Sequence, residues 1–158
     1  MAVGVSAATF GYGGVKPGSQ RVEGDGSTPA GRYPMVETFG VGNPGTKMLY
    51  RTINSCSWWS GRAGATYNRF AQQCGFGDGE HLTDYTTNSV KQYLQTAVIG
   101  FKYADPRKSS GLGSGSAIFL HYAEGRTAGC VGLTSRTEMT STVRWLDPAK
   151  HPTIVIYA

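Results

Sequence analysis

Cys130 and His121 are the two residues whose types and spacing suit covalent chemistry. His121 closes an apolar run, Ala117-Ile118-Phe119-Leu120, and a loop from Tyr122 to Gly129 returns the chain to Cys130 nine positions on. Cys130 then opens a second apolar run, Val131-Gly132-Leu133. Neighbouring strands joined in this way put thiol and imidazole at the same end of one sheet. An imidazole within hydrogen-bond reach takes the thiol proton and lowers the apparent pKa from ~8.5 toward neutrality. Gly129, just before the thiol, allows close backbone approach to a substrate carbonyl. The Cys130 N–H and a neighbouring amide then hold the oxyanion. On spacing alone, a buried cysteine and a buried histidine that never meet is an equal reading.

Other chemistries find less to work with. His81, His121 and His151 form no His-Glu-x-x-His or His-x-His pattern, which argues against a metal centre. Neither G-x-S-x-G nor S-x-x-K occurs, so a serine nucleophile has no signature. The ten carboxylates lie outside any distinctive motif. The glycine-rich stretch Arg107 to Gly115 lacks the Gly-Lys-Ser/Thr of a phosphate loop and precedes a strand, so it reads as a linker. No cofactor is implied.

The elements that must position the pair are mainly strands. Twenty-three glycines in 158 residues, with only 16% charged side chains against a typical ~25%, exclude a helical bundle. A hydrophobic fraction of 39% excludes disorder. The expected fold is one mainly β domain over residues 1–158, with long irregular loops. Thr9 to Val15 begins a series of short strands and turns, and Gly24 to Met35 is a turn cluster leading into a strand through Val36 and Phe39. Pro29 and Pro34 restrict that cluster to turns and sheet edges. Asn54 to Gly79 reads as a long irregular region, and Tyr93 to Tyr103, Ala117 to Tyr122 and Thr153 to Tyr157 as strands. One helix is clear near residues 135–147. Ser135 caps it with Glu138 reaching back, Met139, Val143 and Leu146 share a face, and Pro148 stops it.

The cysteines divide into two and one. Cys56 and Cys74 lie 18 positions apart in the irregular region, and pairing them stabilises by roughly 3 kcal/mol in the chain-entropy model. Three unrelated buried thiols in a reducing compartment is the other reading. The pairing is preferred, implies export, and leaves Cys130 free. No stretch reaches the ~20 apolar residues of a membrane span. The opening Met-Ala-Val-Gly is no signal peptide and reads as a mature form behind a start Met. A net charge of +5 is scattered rather than interleaved with aromatics, which argues against nucleic acid and suits the carboxylates of a cell wall.

The run Gly115-Ser116-Ala117-Ile118-Phe119-Leu120-His121, followed by Thr127-Ala128-Gly129-Cys130-Val131-Gly132-Leu133, resembles the active-site region of L,D-transpeptidase (YkuD-type) catalytic domains. Further segments agree in order: Gly24-Asp25-Gly26-x-Thr28-Pro29-x-Gly31-x-Tyr33-Pro34, Tyr67-Asn68, Glu80-x-Leu82, and a Trp-Leu-x-Pro helix end before the last strand. The resemblance covers roughly residues 9–158, to the short single-domain subgroup. It implies a β-sandwich-like catalytic domain, exported, monomeric, and acting on peptidoglycan stem peptides. Cys130 is then the nucleophile and His121 its base, with a backbone carbonyl orienting the imidazole. Attack on the L-to-D bond after the third stem residue releases D-alanine and leaves a thioester, which an amine of another stem or water resolves. A carbapenem adduct at Cys130 is implied as well. Hydrolysis alone, as an L,D-carboxypeptidase or endopeptidase, and an inactive wall-binding domain are the alternatives.

The chain departs from better-known members of that family at the site. Those carry Ser-His-Gly-Cys, then an apolar residue and Arg or Asn; here Ala128 replaces the second His, and Gly132 stands where Arg or Asn would grip a substrate carboxylate. Arg126 either substitutes or is a solvated loop residue. Tyr122, Thr127 and Glu80 are the other candidates for contact with substrate. Glu80 and its neighbour His81 either line the site or are a loop acid and a surface histidine.

Overall fold

A computed structural model describes residues 7–87, 89–103, 113 and 115–158. The predicted linker at 107–115 lies outside the described residues apart from Gly113 and Gly115. Among the described residues the chain is mainly β: β1 (Ala8–Thr9), β2 (Val15–Pro17), β3 (Thr28–Gly40), β4 (Tyr50–Thr52), β5 (Ser57–Ser60), β6 (Phe70–Gln72), β7 (Gly79–His81), β8 (Gln95–Ile99), β9 (Phe119–Tyr122), β10 (Val131–Leu133), the helix α1 (Arg136–Trp145) and β11 (Thr153–Ile156). An eight-stranded sheet runs β1-β10-β9-β8-β3-β11, with β2 and β4 also pairing β3, and β6-β5-β7 form a second sheet.

β3 is the spine, and it corrects the reading of Gly24 to Met35 as turns. The strand begins at Thr28 and carries both prolines inside it. They are tolerated because each nitrogen faces a point where a neighbouring ladder stops. The Thr28 N–H donates to the Gly14 carbonyl on one edge, so Pro29 faces the other, beyond the last β11 rung at Gly31. The Met35 N–H donates to the Pro152 carbonyl, so Pro34 faces β8, whose ladder begins only at Met35.

A register shift between Met35 and Glu37 leaves Val36 as an extra residue and inverts which side chains face which side. Met35 therefore joins Ile99, Leu120, Val131 and Leu133 on the face covered by α1, through Met139, Val143 and Leu146. Phe39 looks to the opposite face, with Val98, Phe119 and Cys130. Ser135 caps α1 as its sequence predicts, its Oγ accepting the Glu138 N–H at 3.2 Å.

The second sheet lies where an irregular region was expected, since Asn54 to Gly79 contains β5 and β6 and leads into β7. Its strands are three or four residues long, too short for alternation to register. Trp59 of β5 nonetheless anchors this sheet to the large one, with ring centroids 5.0 Å from Phe119 and 6.3 Å from Phe39. Cys56 and Cys74 are disulfide-bonded as expected, joining the entry of β5 to the segment after β6. Replacing both with alanine is expected to lower unfolding free energy by about 3 kcal/mol, read from urea denaturation. An unchanged midpoint would show the bridge to be dispensable. Among the described residues no helix is long and apolar enough to cross a membrane.

Candidate active site

The β9 and β10 strands are neighbours, as their sequences suggest, but they pair in parallel, with Val131 opposite Leu120 and Gly132 opposite His121. The returning loop thus carries Cys130 back to the start of the pair, while His121 lies toward its end. The two side chains share a face, one strand over and two residues along. Standard strand spacing and rise put their Cα positions roughly 8 Å apart.

Each member of the pair is held by backbone. The Cys130 thiol donates to the Ala117 carbonyl at 3.3 Å, and its sulfur accepts the Phe119 N–H at 3.4 Å. His121 Nδ1 lies 2.7 Å from the Tyr122 carbonyl. A carbonyl only accepts, so Nδ1 carries the hydrogen and Nε2 presents its lone pair. No hydrogen bond joins Cys130 to His121 among the described residues. Burial pushes the Cys130 thiol up to about 12, and the Glu80 carboxyl adds to the shift. Burial likewise lowers the His121 pKa. The resting pair is a neutral thiol and a neutral imidazole.

The segments around the thiol come from the motifs quoted above. Thr28 Oγ1 accepts the Gly11 N–H at 2.8 Å and lies 3.5 Å from the Cys130 carbonyl, which also accepts from Thr127 Oγ1 at 2.6 Å. Asn68 fixes the thiol's acceptor from below. Its Oδ1 takes the Ala117 N–H at 3.0 Å and the Trp59 indole N–H at 2.8 Å, and its amide donates to the Phe101 and Lys102 carbonyls. Ala117 is thereby held at φ 54°, a conformation unfavourable for a residue with a Cβ.

Cys130 opens onto a cleft of about 240 Å³ whose charged lining is Arg21, Glu23 and Glu80. Arg21 is only 5% exposed, and its Nε donates to the Ser27 carbonyl at 2.6 Å. Glu23 has both carboxylate oxygens engaged, by Tyr67 and by Ser116, each at 2.6 Å. Glu80 accepts from the Tyr93 hydroxyl at 2.6 Å through Oε2. The Tyr93 ring in turn packs edge-on against His121, 5.3 Å between centroids.

The sequence-predicted contacts divide accordingly. Glu80 reaches the cleft because it pairs with Trp59 across β7 and β5, whereas the next residue alternates outward. His81 is therefore outside, stacked on Trp58 at 4.6 Å and bonded to Asp84 at 2.8 Å. Gly129 adopts φ +135°, and a Cβ there would meet the Ser27 carbonyl at 2.9 Å and Arg21 at 2.8 Å. Thr127 is buried and shapes the loop, since its Oγ1 also accepts the Gly129 N–H at 3.2 Å. Tyr122 bonds Glu124 and lines surface grooves with Lys91 and Arg136, away from the thiol. Arg126 is exposed and does not line the cleft. Position 132 is closed to any large side chain, because a Cβ on Gly132 would sit 2.4 Å from Thr9 Oγ1 and 2.6 Å from Ala123.

Arg21 was missed from sequence. It stands in a glycine-rich turn region whose composition reads as solvated, yet the Ser27 carbonyl, Asp25, the Phe101 ring and the loops around Gly115 and Gly129 enclose it. No family model matches the chain, and searches of curated proteins and of solved structures return no significant match.

Proposed function

We propose that this chain is a cysteine-dependent L,D-transpeptidase of the YkuD type, exported, and acting on peptidoglycan stem peptides through a thioester on Cys130. The observation that carries the reading is the free thiol at a cleft it shares with Glu80, where Thr28 bonds the Cys130 carbonyl and Asn68 bonds the Ala117 N–H, all three being residues of the resemblance motifs. The Cys56–Cys74 disulfide is compatible with export.

In the acylation step the substrate carbonyl displaces the thiol from Ala117. The Cys130 proton passes to His121 Nε2, the sulfur–carbon bond forms, and the peptide carbon–nitrogen bond breaks as the imidazolium protonates the departing D-alanine nitrogen. The Gly129 N–H is engaged by Thr127, so the Cys130 N–H serves as oxyanion donor. Arg21, beside Gly129, takes the carboxylate-gripping role that Gly132 has no room to perform.

Incubation with tetrapeptide stems, followed by product mass, tests the assignment. Cross-linked dimers with D-alanine release are expected. Tripeptide alone would indicate a hydrolase, and an unchanged substrate would indicate a wall-binding domain without activity.

A further inference from the structure

The cleft holds a carboxylate that acylation does not use. We propose that Glu80 is the general base of the second half-reaction, deprotonating the acceptor amine that resolves the Cys130 thioester; this rests on the transpeptidase reading. Three observations single it out. Glu80 lines the cleft together with Cys130. Glu23, the other acid of the lining, has both oxygens engaged by Tyr67 and Ser116. Glu80 has Oε2 fixed by the Tyr93 hydroxyl, and Oε1 accepts no hydrogen bond among the described residues.

That asymmetry is what a base requires: one oxygen sets the orientation and the other faces the incoming group. An aliphatic acceptor amine arrives as an ammonium, which a carboxylate attracts and the neutral His121 imidazole left by acylation does not. One ammonium proton passes to Glu80, and the exposed lone pair attacks the thioester carbonyl. The nitrogen–carbon bond forms, the carbon–sulfur bond breaks, and the second nitrogen proton goes to the departing sulfur, restoring the thiol. Glu80 then returns its proton to solvent. Burial raises the Glu80 pKa, which strengthens it as a proton acceptor relative to an exposed carboxylate. The titratable groups around it are Tyr93, Tyr85 and Cys130, with Arg21 and Glu23 across the cleft.

Glu80→Gln keeps the size of the side chain and an oxygen for Tyr93, so it isolates proton transfer. Two rates are read on the full chain: appearance of the carbapenem adduct on Cys130 by intact mass, and dimer formation from tetrapeptide stems. The variant is expected to acylate within about threefold of wild type while dimer formation falls about 100-fold or more. The acyl-enzyme should accumulate or drain to tripeptide. Wild-type dimer formation should also fall as pH drops through the raised Glu80 pKa, and that limb should be absent in the variant. Glu80→Asp, which keeps the carboxylate, is expected to recover part of the transfer rate. Wild-type transfer in Glu80→Gln, or an equal loss of acylation and transfer, would overturn the assignment and leave the transpeptidase reading standing. A wild-type protein that never acylates at Cys130 would refute both.

Discussion

Alanine at position 130 is expected to reduce D-alanine release from a tetrapeptide stem by at least ~10³-fold, because the step that breaks the peptide bond then has no atom to receive the acyl group. The cleft offers no ready substitute: Ser116, the hydroxyl in its lining, is committed to Glu23 at 2.6 Å. The substitution removes one sulfur from a packed aromatic cluster, so thermal unfolding should shift by only a few degrees. Loss of turnover with an intact melt separates chemistry from folding. The resting thiol is itself poorly ionised, with a pKa of about 12. Its alkylation by iodoacetamide should therefore climb about tenfold per pH unit between roughly pH 7 and 10 with no plateau. A plateau near pH 7 would mean that imidazole and thiol already form an ion pair in the free protein.

Phe119→Ala carries the largest expected effect on stability, about 3–5 kcal/mol, measured by urea denaturation. Its ring is fully buried where the two sheets meet, with centroids 5.2 Å from Phe39, 5.0 Å from Trp59 and 5.6 Å from Tyr93, all close to edge-on. Removing it opens a cavity shared by both sheets, and no single neighbour can close it. The same ring sits opposite Cys130 in the parallel pair, so the cavity also loosens the Tyr93–Glu80 contact beside the thiol. Tyr157→Ala, at a side chain 82% exposed, serves as the control and should cost no more than about 0.5 kcal/mol. Equal effects at the two positions would contradict the placement of the aromatic core.

Where local signals sufficed, the sequence was legible. The Ser135 cap, the spacing of Met139, Val143 and Leu146, and Pro148 together define α1, because capping and stripe are properties of one segment. Apolar β-branched and aromatic runs located β8, β9 and β11 to within a few residues. What escaped depends on partners distant in the chain. Pro29 and Pro34 forbid a central strand unless the β11 and β8 ladders, respectively, stop short of them, and where those ladders stop is not written in the local sequence. The β5-β6-β7 sheet rests on rungs between residues 57–60, 70–72 and 79–81, each run too short to announce itself.

The site shows the same division. Cys130 and His121 stood out by type, yet the parallel pairing that separates them along the strands is set by the loop between them. Alternation along β7 separates Glu80 from His81, but only the contact of Trp59 with the core decides which faces inward. The burial of Arg21 depends on Phe101 and on the loops around Gly115 and Gly129, distant in the chain, since nothing in Gln20-Arg21-Val22 marks a buried cation.

Intact-mass analysis of the native protein after exposure to a carbapenem tests the central claim most directly. One adduct of the drug's mass, mapping to Cys130 by peptide digestion and absent from Cys130→Ala, is the expected result. Absence of any adduct on native protein whose Cys130 iodoacetamide still alkylates would contradict the assignment of that thiol as an acyl-accepting nucleophile.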